Sequence, residues 1–244
     1  MKLLVITCWC GGQPFADMTT AMLSDLQNSI TEWGGEMMLS VVRQGVPKGT
    51  VLRYTLFEDE VVELESNAGF AVGMNWAFMM GMERLVEGAT PDAVLCLNND
   101  ILMPNKDWLQ ILVDELQDDA ICCPTTNYTS VTEQRATKPV DKDPFFHGVT
   151  PGLCWLMPWP VVEAITGHLG KGKLFAEDLG SRAWGEDNYT AGIVRTKVRK
   201  APFKIVPRAW IHHLGAKTSS LIPAAEKMKA HGEAQRRMKR ERFS

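Results

Sequence analysis

Leu95–Asp100 reads LCLNND, an apolar run that ends in two amides and a carboxylate. The apolar part reads as a buried strand. Its polar end has two readings. It is an Asx turn that opens the next segment, or it is the place where a carboxylate meets a divalent cation at the edge of a sheet. The three residues do not choose between these by themselves; the rest of the chain must.

On either side, strands and helices alternate. Lys2–Thr7, Met37–Val42, Val61–Leu64, Ala93–Leu97 and Ala120–Pro124 are short apolar runs of strand type. Between them, Phe15, Met18, Met22, Leu26, Ile30 and Trp33 recur at helical spacing, and Gly34–Gly35 stops that helix. Gly73–Glu87 and Asp107–Leu116 read as further helices. Strands apolar on both faces, alternating with helices, predict a mostly parallel sheet covered by helices. Such sheets bind ligands beyond the carboxyl ends of their strands. The residues there are small and polar: Thr7 to Gly12, Ser66–Asn67, Asn98 to Asp100 and Thr125 to Asn127. Thr125 to His147 breaks the rhythm and reads as a long irregular excursion. Further on, Pro160–His168 and Glu186–Lys200 read as helices, and Phe203–Val206 and Ala209–Ile211 as strands split by Pro207. The second half is expected to form a lobe built onto the same sheet.

The chain has 244 residues, 45% of them hydrophobic and 23% charged, enough for a sizeable core. No apolar stretch approaches the length of a membrane span, and the N-terminal apolar run is too short for a secretory leader. A cytoplasmic location is the expectation. The six cysteines mostly sit in apolar runs, which favours buried free thiols over a zinc site. The net charge is −3 but uneven: residues 226–244 hold seven Lys and Arg against three acids. That basic, helical tail, taken as residues 221–244, is either a solvated helix end or a contact for nucleic acid, an anionic membrane or an acidic neighbour.

Three further segments carry candidate chemistry. Asn67–Asn75, NAGFAVGMN, places two glycines and two asparagines around a helix start, where backbone amides favour anions. Trp184–Tyr189, WGEDNY, puts two acids beside an aromatic at the next helix start. Acids there suit the helix dipole; they also suit a general base, Asp187, with Glu186 orienting substrate and Trp184 as a flat wall. Ile211–Gly215, IHHLG, offers two histidines after a strand, as metal ligands, phosphate donors or packing residues.

In order and spacing these segments resemble the inverting glycosyltransferases of family 2, which have the GT-A fold. The N-x-G-F-x-x-G-x-N run at Asn67–Asn75, the L-N-N-D form of the acidic metal motif at Asn98–Asp100, Trp108, the Gly152 segment, Gly185-Glu186-Asp187 and Pro207-x-x-x-x-His212 carry the likeness, up to about Ser220. The resemblance implies a nucleotide-sugar-binding, Rossmann-like α/β core over residues 1–220 with an acceptor-side C-terminal lobe. It implies Mn²⁺ or Mg²⁺ on Asp100 and His212, with His213 as fallback, and Asp187 as the base that deprotonates an acceptor hydroxyl. Thr7, Asn67, Gly73, Asn75, Asn98, Asn99 and Trp184 would line the donor site. The donor implied is a UDP-sugar and the acceptor a glycan or small hydroxylated molecule. A hydroxylated base in DNA is an alternative acceptor, and a non-catalytic nucleic-acid-binding relative an alternative class. The sequence departs from the pattern at Arg43, where the family has an aspartate, at Ile193, where it has an arginine, and at Cys8–Gly12.

Overall fold

The computed structural model describes residues 1–53, 61–85, 89–179, 186–215 and 224–241. Its elements run β1 (Lys2–Cys10), α1 (Gln13–Trp33), β2 (Glu36–Gln44), β3 (Val61–Leu64), α2 (Phe70–Arg84), β4 (Ala93–Asn98) and β5 (Ile101–Leu102). There follow α3 (Trp108–Asp114), β6 (Ile121–Thr126), a 3₁₀ turn (Thr132–Gln134), β7 (Phe145–His147), β8 (Cys154–Pro158), α4 (Trp159–Leu169), α5 (Glu186–Lys197), β9 (Phe203–His213) and α6 (Ala224–Arg240).

β1 shows why the sheet lies between two helical layers. Alternate side chains of a strand point to opposite faces. Leu3, Val5 and Trp9 join one core with Leu23 and Leu26 of α1 and Leu109 and Leu112 of α3. Leu4, Ile6 and Cys8 join the other with Met74 and Phe78 of α2, Val161 and Ile165 of α4, and Val194 of α5. α1 starts at Gly12 with a proline in its first turn and stops at Gly34, whose φ of 72° lets its N–H reach the Ile30 carbonyl. α2 approaches β1 closely because Gly73 has no side chain: a Cβ there would lie 2.8 Å from the Cys8 Sγ.

Among the described residues the sheet has nine strands, in the order β3-β2-β1-β4-β8-β6-β9-β5, with β7 also on β9. β1, β2, β3 and β4 are mutually parallel, and β6 is parallel to β9. β8 runs antiparallel to both of its neighbours, β4 and β6; β5 and β7 run antiparallel to β9. This corrects the expectation of a mostly parallel, GT-A-type Rossmann-like core with a C-terminal lobe. The sheet is mixed, and β6, β8 and β9 continue it rather than forming a lobe upon it. β8 is apolar on both faces like its parallel neighbours, so composition alone hid its direction.

The reversal of β8 has a consequence for the rim of the sheet. It brings the start of β8 to the edge where β1, β2, β4, β6 and β9 end: Leu97 pairs with Cys154, and Asn98 N–H donates to the Leu153 carbonyl at 2.9 Å. β9 passes through Pro207 without ending. The register jumps there, with Pro124 opposite Val206 but Thr125 opposite Trp210, a bulge that accommodates a residue lacking an N–H. Thr125 Oγ1 donates to the Ala209 carbonyl at 3.2 Å inside it. The excursion 127–147 lies against β9 through β7 and through Trp210 Nε1, which donates to the Ala136 carbonyl at 2.9 Å. Among the described residues, no helix is long and apolar enough to cross a membrane.

Candidate functional site

The turn Asn98-Asn99-Asp100 leads from β4 into β5, and β5 pairs with the end of β9: Ile101 opposite His213, Leu102 opposite His212. Asp100 is therefore held at β9's end, and its carbonyl accepts the Leu214 N–H at 2.8 Å. Its buried carboxylate lies 3.3 Å from Nε2 of buried His213. His212, the next residue along an extended strand, points the other way and sits against the Trp210 ring at 5.9 Å between centroids. The structure thus brings Asp100 together with His213, and it separates Asp100 from His212.

His213 is fixed on every side. Asn127 brackets its backbone, with Oδ1 accepting its N–H at 2.7 Å and Nδ2 donating to its carbonyl at 3.1 Å. Its Nδ1 lies 2.9 Å from the Tyr128 carbonyl. A carbonyl only accepts, so Nδ1 carries hydrogen and the neutral ring turns its lone pair at Nε2 toward the Asp100 carboxylate. Two acceptors 3.3 Å apart require a positive species between them, a proton or a metal cation. Burial works against an imidazolium here, but the hydrogen bond and charge of Asp100 and the Tyr128 carbonyl outweigh it and raise the His213 pKa above its ordinary value. In the same turn as Asp100, Asn98 Oδ1 is buried and receives no hydrogen bond among the described residues. A carboxylate, an imidazole and an amide oxygen at one sheet edge fit the ligand chemistry of Mn²⁺ or Mg²⁺. No group of three or more His, Cys, Asp or Glu side chains placed to hold a metal occurs among the described residues. Two protein ligands suffice where substrate phosphates and water complete the shell.

Asp187 opens α5. Its Oδ1 accepts the Asn188 N–H at 2.7 Å and its Oδ2 the Gly152 N–H at 3.3 Å. Gly152 directly precedes Leu153, the residue that bonds Asn98. Asp187 and the Asp100 turn are thus joined by a short run of backbone contacts along one edge. A Cβ on Gly152 would meet the Asp187 Cβ at 3.4 Å, an ordinary van der Waals contact, so the two residues are neighbours.

The remaining expected residues divide. Glu186 is buried, with its charge near Cys8. Burial first, then the neighbouring Cys10, pushes the Cys8 thiol up. Thr7 is fully buried. Asn99 is buried and donates to Thr19 Oγ1 in α1 at 3.2 Å. Asn67 forms a local turn, accepting the Gly69 N–H at 3.0 Å, and donates to Cys10 Sγ at 3.3 Å. Gly73 is the close-packing contact of α2. Asn75 is buried with its amide fully used. Oδ1 accepts the N–H groups of Leu174 and Phe175, at 2.8 and 3.0 Å, and Nδ2 donates to the Phe175 carbonyl and to Glu177 Oε1. It anchors the segment that leads toward α5. Trp184 lies outside the described residues.

Asn127, Tyr128 and Gly152 position the key side chains and were not singled out as site residues. Asn127 had one visible signal, its place directly after the β6 run, and Gly152 had its place in the family likeness; Tyr128 had none, because its role depends on contacts distant in sequence.

No family model matches the chain, and no curated protein matches it. Solved structures do. S. aureus TarS 1–349 in complex with UDP-GlcNAc superposes with a TM-score of 0.60 at 16% identity, over 98% of this chain and 65% of that one. The mannosyltransferase PcManGT from Pyrobaculum calidifontis, in complex with GDP-Man and Mn²⁺, gives 0.58 at 17%, over 95% and 68%. Glucosyl-3-phosphoglycerate synthase from Mycobacterium tuberculosis, in complex with Mn²⁺, UDP-Glc and phosphoglyceric acid, gives 0.51 at 13%, over 97% and 79%. Against a longer TarS structure, the chain spans 36% of the length. The expected membership of family 2 is corrected accordingly: with no matching family model, likeness at 13–17% identity does not place the chain in that family. What the likeness shows is that this chain shares its fold with sugar transferases of known structure.

Proposed function

We propose that the chain transfers a sugar from a nucleotide-sugar donor to an acceptor hydroxyl, with inversion at the anomeric carbon. The observation that carries this reading is the buried Asp100–His213 pair at the sheet edge where Asp187 opens α5. The shared fold with transferases solved with nucleotide sugars supports it.

Asp100 and His213, with the Asn98 amide oxygen, would hold Mn²⁺ or Mg²⁺. When bound, the cation supplies charge stabilisation to the departing diphosphate. Asp187, its rotamer set by the Gly152 and Asn188 N–H groups, takes the proton of the acceptor hydroxyl. That oxygen attacks the anomeric carbon as the bond to the diphosphate breaks on the opposite face. The new glycosidic bond replaces the old one, and the nucleoside diphosphate leaves with the electron pair. Glu186 is buried in the first turn of α5, next to Asp187. Arg43, over the Trp9 ring at 5.6 Å and paired with Glu63 at 2.8 Å, occupies the end of β2. A UDP-sugar is the first donor to test, alongside GDP-sugars.

The test is a panel of nucleotide sugars, measured for Mn²⁺-dependent binding by calorimetry and for slow donor hydrolysis. Asp100→Ala should lower metal-dependent donor turnover about a hundredfold or more. Unchanged Mn²⁺ dependence in that variant rejects the reading.

A further inference from the structure

α6 is docked on one side and bare on the other. Its docked side is held by Arg237, which bonds Glu241 Oε1 at 2.8 Å, pairs with Asp178, and lies over the Tyr189 ring at 4.5 Å. Met238 packs against the small cluster of Ala176, Leu179, Tyr189 and Ile193. Tyr189 is in the first turn of α5, two residues beyond Asp187. The C-terminal half of α6 is thereby fastened beside the helix start that carries the base.

The opposite side presents Lys229, Arg236, Lys239 and Arg240, all exposed. Between this half of α6 and the 178–179 segment lies an open recess of about 500 Å³, bordered by Arg236, Arg237, Lys239 and Arg240 together with Asp178, Leu179 and Glu233. Its lining includes neither Asp100 nor His213. Outside residues 226–244 the chain carries about seven net negative charges, so this basic face is a local attractor on an acidic body.

Two properties select the partner. An amphipathic helix that enters a membrane surface needs a continuous free apolar side, and here Met238 of that side is packed against the body of the protein, with Met228 left exposed. Arginine presents a planar donor fork that matches phosphate oxygens, and the recess is concave, suited to a strand rather than a plane. We propose that the exposed face of α6 is a docking surface for the phosphate backbone of nucleic acid, holding a strand alongside the start of α5. That Asp187 is the destination of a hydroxyl on this strand rests on the transfer reading above; the docking does not.

The experiment is fluorescence anisotropy of the full chain with a labelled DNA oligonucleotide, single-stranded and duplex, over a range of salt. Arg236→Glu, Lys239→Glu and Arg240→Glu combined should weaken binding at least tenfold and lower the slope of log K against log salt by about 2–3. Arg237 and Glu241 are kept, so α6 stays docked, which an unchanged melting temperature verifies. Replacing the two arginines by lysine should keep most of the salt dependence. No DNA binding by the unaltered chain at low salt, equal binding by the triple variant, or tighter binding to phosphatidylserine vesicles than to DNA overturns the proposal. Oligonucleotide binding needs no donor and donor binding needs no oligonucleotide, so loss of Mn²⁺-dependent donor binding in Asp100→Ala is read independently.

Discussion

At the scale of single residues, the proposed function hangs on which way two side chains point. His212 and His213 are chemically identical and adjacent, and only the pairing of β5 with β9 decides that His213 faces Asp100. Asn127 and Tyr128 then set its position and its tautomer. Asp187 is set in the same manner by two backbone N–H groups, one from its own helix and one from Gly152. Asp187→Asn preserves the shape but removes the proton acceptor. Transfer should fall by about two to four orders of magnitude, while donor affinity by calorimetry stays within about twofold. Transfer at the unaltered rate would show that another group is the base.

At the scale of elements, the Asn67–Asn75 stretch is where a motif residue changes meaning. In sequence, Asn75 looks like a donor-site amide. In the structure it is spent on the 174–177 segment, whose backbone would otherwise present buried, unpaired groups. Asn75→Ala should cost about 2–4 kcal/mol, since leaving buried partners unsatisfied costs about 1–3 kcal/mol each. Urea unfolding measures this. Because the segment leads toward α5, the variant should also lose transfer rate while still binding Mn²⁺ and donor. A stability unchanged within about 0.5 kcal/mol would contradict the anchoring role. The helices and most strands were legible in sequence because period, glycine stops and apolar runs are local signals. The bulge at Pro207 was misread as a break because a lone proline argues against a strand interior, and its accommodation depends on Thr125 in β6.

At the scale of the whole molecule, the two helical layers are closed over the sheet, and polar ties hold distant elements together. One such tie joins α3 to β9. Lys204 Nζ reaches the Glu115 carboxylate at 2.7 Å and Arg208 reaches it at 2.9 Å. The Lys204 hydrogen bond, more than any other influence, holds the Glu115 carboxyl below its ordinary 4.5. A carboxyl depressed on folding stabilises the protein above its unfolded pKa, and that contribution is lost as pH falls through the lower folded value. Glu115→Gln should therefore lower stability by about 1–3 kcal/mol at neutral pH, and the difference from the unaltered chain should shrink as pH falls below 4.5 and close once the depressed folded value is passed. Urea titrations at neutral and acid pH measure it. A gap that persists in acid would mean that packing, not charge, makes the contact.

The sequence by itself determined the alternation of strands and helices, the polar rim at the strand ends, and the acids that open α5, because each is written in neighbouring residues. Only the tertiary structure decided that β8 runs antiparallel at the centre of the sheet, that His213 rather than His212 meets Asp100, and that Asn75 and Gly73 serve packing. Strand direction and register are set by pairing between segments far apart in the chain, and a shift of one residue turns every side chain to the opposite face.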